Sequence, residues 1–209
     1  MNQRTQTSLK ISILCLIGFF FLVLVLDTDF MVQFDYFVLE SVASIRADWI
    51  TTIMAAFAFI GSVSVVIVLA IIMIVIFLIL KTPQKEIFFT TATLATTGLL
   101  NTVVKQIIAR LRPEDFMMVD LSSYSFPSGH TMGAMSFYTV LTFFIWKRVD
   151  SFQVRVGVLL FAVVMILGMG FSRIYLGVHY ATDVFGGFLL SVAIIAFYYW
   201  FFQARLIKD

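Results

Sequence analysis

The sequence predicts an all-α integral membrane protein, with six transmembrane helices and an interfacial amphipathic segment between the first and second spans. Three observations carry that class. Hydrophobic residues make up 61% of the 209 and charged residues only 12%, against about 45–50% and about 25% in an ordinary soluble domain. So little charge does not cover the surface of a 23.7 kDa globule, which excludes a soluble cytosolic domain and a disordered chain. The apolar residues gather in several long uncharged runs rather than in one anchor, and the basic residues are shared unequally between the connecting loops.

Each element follows from counting between charges. Ile11–Leu26 is an uncharged run of 16 residues, Trp49–Leu80 of 32, Ile87–Val104 of 18, Thr131–Trp146 of 16, Val156–Ser172 of 17 and Val184–Ala204 of 21. A spanning helix needs about 20 apolar residues, within about 17–25. The first run extends back to Ser8, past Lys10, and the fourth extends back through neutral residues to Leu121. The run of 32 is too long for one helix and too short for two. Gly61-Ser62 divides it into a span over Ser62–Leu80 and an interfacial or partly re-entrant helix over Trp49–Ile60; one long tilted helix is the alternative. The preceding Asp35–Asp48 stretch sets Glu40, Arg46 and Asp48 among apolar residues and reads as amphipathic and interfacial. The six spans are then about 8–27, 61–80, 86–107, 129–147, 154–171 and 181–203.

The first span follows Arg4 and Lys10 as a leader would, but Asp27-Thr28-Asp29-Phe30 is a poor cleavage site, so a retained helix is expected. Gly157, Gly168 and Gly170 in the fifth span and Gly186-Gly187 in the sixth are expected to allow close helix packing. Cys15 stands alone in an apolar run, which leaves no intramolecular disulfide and no cysteine metal cluster. No repeat or linker divides the chain, so residues 1–209 are expected to form one membrane-embedded domain.

An even number of spans puts both termini on one side, and the positive-inside rule says which. One side collects Arg4, Lys10, Lys81, Lys85, Lys147, Arg148, Arg155, Arg205 and Lys208 against Glu86, Asp150 and Asp209, a net charge of 9 − 3 = +6. The other collects Arg46, Lys105, Arg110, Arg112 and Arg173 against Asp27, Asp29, Asp35, Glu40, Asp48, Glu114, Asp115, Asp120 and Asp183, a net of 5 − 9 = −4. Both termini are therefore expected in the cytoplasm, with loops 108–128 and 172–180 outside. The overall charge of +2 is too small to suggest a nucleic-acid partner.

Ionisable groups at the edge of apolar spans are costly and usually functional. Three clusters stand out, all on the expected outer side. In Lys105-Gln-Ile-Ile-Ala-Arg-Leu-Arg112-Pro113 the two cations are seven apart, on one face if the helix continues, and Pro113 ends the helix or starts a loop. A snorkelling basic rim is the plain alternative. Phe126-Pro127-Ser128-Gly129-His130 opens an apolar run, where free backbone N–H groups of a helix N-terminus bind anions. Ser128 can cap that helix or donate to an oxyanion, and Gly129 lets an anion approach the backbone. A capped loop–helix junction is the alternative. In Ser172-Arg173-Ile-Tyr-Leu-Gly-Val-His179-Tyr-Ala-Thr-Asp183 the histidine and the carboxylate stand at i, i+4, one helical turn apart. A carboxylate on one imidazole nitrogen fixes the tautomer and sharpens the other as nucleophile or base. A hydrogen-bonded pair that pins a helix end is the alternative.

Together the clusters favour chemistry. Both histidines of the chain, an adjacent acid and Lys105, Arg112 and Arg173 fall on one side, and a cationic clamp beside a positioned histidine suits a transferring phosphoryl group. Two histidines and one carboxylate are potential zinc ligands, but three nearby cations repel a dication, so no metal is expected. Phe126, Tyr175 and Tyr180 are expected to line lipid access or, more simply, to anchor at the interface.

Lys105-x6-Arg112-Pro113, Pro127-Ser128-Gly129-His130 and Ser172-Arg173-x5-His179-x3-Asp183 resemble, in order and spacing, the three-part signature of the type-2 phosphatidic acid phosphatase superfamily. The motifs cover residues 105–183, and the six-span layout extends the likeness over nearly the whole chain. The resemblance implies that His179 is the nucleophile of a phosphohistidine intermediate, Asp183 its orienting partner and His130 the general acid. It implies that Lys105, Arg112 and Arg173, with Ser128 and Gly129, hold the phosphate, without metal or cofactor. Soluble haloperoxidases share such a constellation, and the spans here argue against that branch. The compact layout is similar to bacterial members that act on phosphatidylglycerophosphate, undecaprenyl diphosphate or phosphatidic acid. The expected partners are thus a membrane lipid phosphate and the bilayer; the residues fix no oligomeric state. A phosphotransferase or sugar-phosphatase on the same scaffold, and a lipid-phosphate transporter without chemistry, are the rival readings.

Overall fold

The structure, a computed structural model, describes residues 3–205. Lys208 and Asp209, which enter the charge partition, lie outside the described residues, as do the side chains of Arg4 and Arg205. The described residues form helices and loops without strands: α1 (Gln3–Val25), α2 (Asp29–Ser44), α3 (Asp48–Ile60), α4 (Val63–Ile79), α5 (Gln84–Ile108), α6 (Gly129–Trp146), α7 (Phe152–Tyr175) and α8 (Ala181–Arg205). Among them α1, α5, α7 and α8 are each long and apolar enough to cross a membrane. The helices α3 and α4 are so only as a pair, bent by 52° at their junction. That junction is Gly61-Ser62, and Ser62 caps α4 by accepting from Val65 N.

The bundle is built around α6, which touches α4, α5, α7 and α8. This position explains why the helix carries Gly, Ser and Thr where α1 and α4 carry Leu, Ile and Phe. Its Thr131 and Ser136 are buried, and Ser136 Oγ meets Thr97 Oγ1 of α5 at 2.8 Å. A helix wrapped by protein tolerates polar groups that a lipid-facing one does not. The lipid-facing surface is supplied by exposed side chains such as Leu14 and Leu24 of α1, Ile71 and Ile79 of α4 and Leu160 of α7. One end of the bundle is tied by Glu86 of α5 to Lys147 (2.5 Å) and Arg148 (2.9 Å) beyond α6. The long loop between α5 and α6, with a short 3-10 turn at Glu114–Phe116, closes the other end.

Several expectations are corrected. The alternative of one long tilted helix over Trp49–Leu80 gives way to the 52° bend; α3 itself packs along α7, with Phe57 so close to Gly168 that a Cβ there would stand 2.5 Å from the ring, while Trp49 and Phe59 stay exposed and none of its residues is fully buried. The helix α5 stops at Ile108, four residues before Arg112, because Ala109 adopts left-handed φ (50°) and turns the chain. Lys105 and Arg112 therefore share no helix face. The fifth span runs on to Tyr175, which places Arg173 in its last turn, inside the protein rather than in a loop. Nothing packs within 4 Å of where a Cβ on Gly157 would lie, so that glycine makes no close helix contact. Phe126 and Tyr175 are fully buried rather than interfacial: Phe126 stacks on Phe19 and covers Gly186, while the Tyr175 hydroxyl bonds Ala47 and Thr51. The Asp35–Asp48 stretch falls largely in α2, which exposes Phe37 and Glu40 and buries Asp35, Leu39 and Val42.

Between α7 and α8 the chain turns through Gly177, at φ +68°, a conformation that L side chains rarely adopt. A Cβ on it would come within 1.9 Å of the Phe116 carbonyl oxygen. The turn brings the N–H groups of Val178 and His179 onto the Arg173 carbonyl, at 3.1 and 3.2 Å. Gly177→Ala meets both the steric and the backbone objection and should cost more than about 2 kcal/mol. The thermal midpoint of the detergent-purified protein should fall, and an unchanged midpoint would show that the turn is not so constrained.

Candidate active site

The N-terminus of α8 organises the site. Asp183, at the third helical position, reaches back to accept from Tyr180 N through Oδ2 at 2.9 Å, in the manner of a capping box. The same oxygen meets His179 Nδ1 at 3.2 Å. His179 precedes the helix, so the pair does not share a helix face as the spacing suggested; the capping carboxylate itself closes the contact. Because a carboxylate only accepts, Nδ1 carries the proton and Nε2 keeps its lone pair. Both residues are buried.

Toward that lone pair points Arg112, whose NH1 lies 3.3 Å from His179 Nε2 and also donates to the Val178 carbonyl. Its other nitrogens donate to Ser123 O (2.6 Å), Ser123 Oγ (3.0 Å) and Tyr124 O (3.3 Å). Lys105, from the last turn of α5, donates to the carbonyls of Tyr124 and Ser125, the latter at 3.1 Å. The two cations thus converge on Tyr124 O, across the turn at Ala109 that separates them along the chain. Arg173, from α7, is buried, and its Nε has no hydrogen-bond partner among the described residues. An orphaned buried donor is rare; here it stands beside a histidine and two other cations, where an anionic oxygen would satisfy it.

Ser128 caps α6, its Oγ accepting from Thr131 N at 3.4 Å and Thr131 Oγ1 at 2.9 Å. Its own N–H donates to the Asp183 carbonyl at 3.1 Å, which ties the start of α6 to the start of α8. A Cβ on Gly129 would stand 2.9 Å from Asn101 Oδ1, and Asn101 Nδ2 donates to Pro127 O at 3.1 Å, so a side chain at that position would press on the support of the loop. His130 follows, and its Nε2 donates to the carbonyl of Ala58 on α3 at 3.2 Å.

Sequence reasoning passed over three residues. Arg110 sits between Lys105 and Arg112 but points away from them. Its NH1 donates to Asp183 Oδ1 (2.8 Å) and Thr182 Oγ1 (2.7 Å), and its NH2 pairs with Asp35 Oδ2 (2.8 Å). Asp35 also accepts from Thr182 N at 3.0 Å and Thr182 Oγ1 at 2.5 Å. The guanidinium lies 4.1 Å from the centre of the Tyr180 ring, which covers it. Burial opposes the charge of Arg110, but the carboxylates of Asp183 and Asp35 outweigh it and hold its pKa above the ordinary value. Arg110 was legible as one more basic residue outside; its partner Asp35 lies some seventy residues away on α2 and carried no local signal.

The electrostatics keep His179 neutral. Burial, and then the charges of Arg112, Lys105 and Arg173, push its pKa well below the ordinary imidazole value. A neutral ring whose Nε2 keeps its lone pair, facing only the guanidinium of Arg112, is equipped to attack an electrophile that arrives with negative oxygens and draws that cation to itself.

Fold and site together define a membrane-embedded phosphatase. The family model of the PAP2 superfamily matches residues 86–207, and the chain belongs to that superfamily. It is 34% identical over 178 residues to phosphatidylglycerophosphatase B of Bacillus subtilis, covering 83% of this chain and 86% of that one. The crystal structure of a transmembrane PAP2-type phosphatidylglycerolphosphate phosphatase from Bacillus subtilis superposes with a TM-score of 0.87 at 28% identity, over 95% of this chain and 98% of that one. Aquifex aeolicus LpxE shares the fold, with a TM-score of 0.62 at 23% identity over 79% of this chain and 94% of its own. The chain is a multi-pass membrane enzyme that hydrolyses phosphoric esters.

Removing one cation removes one cause of the lowered pKa. Arg112→Gln should raise the pKa of His179 and move its protonation toward higher pH. Nitrogen-detected NMR of histidine-labelled protein in detergent reads that shift directly, and an unmoved His179 titration would remove Arg112 from the electrostatics of the ring.

Proposed function

We propose that the chain removes the terminal phosphate from a membrane lipid, with phosphatidylglycerophosphate the foremost substrate and undecaprenyl diphosphate and phosphatidic acid as the others to test. The observation that carries this reading is the pinned, neutral imidazole of His179 facing Arg112, beside the unsatisfied Nε of Arg173. The relative named phosphatidylglycerophosphatase B supports the substrate.

His179 Nε2 attacks phosphorus in line; the Nε2–P bond forms as the P–O bond to the lipid breaks. Lys105, Arg112 and Arg173 take the equatorial oxygens, and the Arg112 hydrogen bond passes from Nε2 to the phosphate as the attack begins. Ser128 and Gly129 shape the cradle at the start of α6. His130, in its protonated form, gives its proton to the departing oxygen. The neutral His130 then takes a proton from water, which displaces His179 and releases phosphate. Asp183 holds the ring of His179 throughout. The three cations supply the charge stabilisation, and the scheme calls for no metal and no cofactor.

In this reading residues 1–209 are one domain of six spans: α1, the bent α3–α4 pair, α5, α6, α7 and α8. The inclusion of α6 follows from its place at the centre of the bundle. Both termini face the cytoplasm beside Lys85, Lys147 and Arg148, and the site opens to the outer surface.

Purified protein in detergent with EDTA should release phosphate from phosphatidylglycerophosphate. His179→Ala should abolish release, and Arg173→Gln should lower kcat by about a hundredfold to a thousandfold. Release that persists in His179→Ala would sink the nucleophile assignment. Transfer to an added alcohol in place of water would make the enzyme a transferase, and absence of release from all three lipids would leave a binding protein or transporter.

A further inference from the structure

Asp35 is fully buried although its neighbours Phe34 and Tyr36 on α2 are exposed. A carboxylate in such a place costs several kcal/mol unless it is paired, and its partners are particular. Arg110 is a planar fork that normally grips one carboxylate with two nitrogens. Here the fork is split: NH2 goes to Asp35 Oδ2 and NH1 to Asp183 Oδ1, both at 2.8 Å. Thr182 Oγ1 sits in the crotch, accepting from Arg110 NH1 and donating to Asp35 Oδ2. The consequence falls on the other oxygen of Asp183. With NH2 held by Asp35, the fork cannot close on both Asp183 oxygens, and Oδ2 stays with His179 Nδ1 and Tyr180 N.

We infer that Asp35 is a positioning residue for His179, acting through Arg110 to keep one oxygen of Asp183 reserved for the imidazole. It touches no phosphate and belongs to none of the three motifs. It also makes the geometry of His179 depend on the docking of α2 against the start of α8. The inference rests on the reading of His179 as the nucleophile.

Losing the Asp35 charge lets NH2 of Arg110 turn onto Asp183 and compete with His179 for Oδ2. The imidazole is then free to rotate, and attack on phosphorus slows while the clamp still binds substrate. A loss of fold would act differently, reducing the number of working molecules and not the rate of each.

The test uses the full chain in detergent, phosphatidylglycerophosphate radiolabelled in its terminal phosphate, and rapid quenching into alkali, where phosphohistidine survives. Wild-type protein should carry label on His179. Asp35→Asn should acquire it about tenfold to a hundredfold more slowly, to the same final amount and with KM unchanged. Asp35→Asn leaves Arg110 with a single anion, so the Asp35→Asn/Arg110→Gln chain, which has no guanidinium to turn onto Asp183, is measured beside it and should label faster than Asp35→Asn alone. Labelling of folded Asp35→Asn at the wild-type rate overturns the inference, as does a double variant that labels no faster than Asp35→Asn, or a smaller labelled fraction at an unchanged rate, which would make Asp35 a structural anchor only. Wild-type protein that releases phosphate without labelling overturns the phosphohistidine reading and this inference with it.

Discussion

Lys105, Arg112 and Arg173 are held together at one end of an apolar bundle, around a buried histidine, and their mutual repulsion is the constraint the rest of the site answers. Two like charges about 4 Å apart repel by about 4 kcal/mol at an effective dielectric constant of about 20. The answer has two parts. Backbone carbonyls take the outward-pointing donors: Tyr124 and Ser125 for Lys105, Ser123, Tyr124 and Val178 for Arg112. Behind the histidine, Asp183 and Asp35 bring negative charge, shared through Arg110. The carbonyls orient the clamp without neutralising it, so its charge remains for an anion, while the carboxylates act on the far side of the imidazole.

Much of the architecture can be read as support for that arrangement. The loop between α5 and α6 must present its carbonyls inward, and it does so because Ala109 turns the chain after α5 and Ser125 N bonds back to Arg110 O at 2.8 Å. The loop between α7 and α8 must present His179, and Gly177 allows the turn. The helix α3 packs along α7, which lets the Ala58 carbonyl fix His130. Arg46, at the join of α2 and α3, donates to Tyr175 O and Phe116 O and so ties both loops to the same corner. The opposite end, where Glu86 meets Lys147 and Arg148, shows the ordinary solution, an ion pair at a membrane surface.

The sequence made legible what is local or what is excluded by the solvent. Apolar runs gave the helices, since a hydrocarbon environment leaves few alternatives; Gly61-Ser62 marked a true break, and Ser128 a true cap. The motif residues come together in space as their types suggested. What was hidden depends on tertiary geometry. A helix that continued through Arg112 was the natural reading of seven-residue spacing, and nothing local announces that Ala109 takes a left-handed conformation. The packing partner of Trp49–Ile60, the bare backbone at Gly168, lies more than a hundred residues away and left no mark on the local sequence. Phe126 and Tyr175 looked like interfacial anchors, the usual role of aromatic residues near a span end, but here their side chains are fully buried inside the protein. Asp35 sat in a plausible amphipathic helix, and only its burial and its pairing with Arg110, far away in the sequence, set it apart from the exposed acids near it.

The position of Arg112 gives the site a further property. In the structure one guanidinium nitrogen faces the lone pair of His179 and thereby occupies the atom that the proposed reaction uses. A phosphate oxygen is a far better acceptor for a cation than a neutral imidazole nitrogen, so an arriving dianion should draw that hydrogen bond to itself. In one exchange the anion would gain a contact and the nucleophile would be uncovered. The unsatisfied Nε of Arg173 works in the same direction, since its desolvation has already occurred on folding and an anion would recover it. Binding and activation are then not separate events in this site. Both follow from keeping cations desolvated, oriented and short of negative charge until a phosphate arrives.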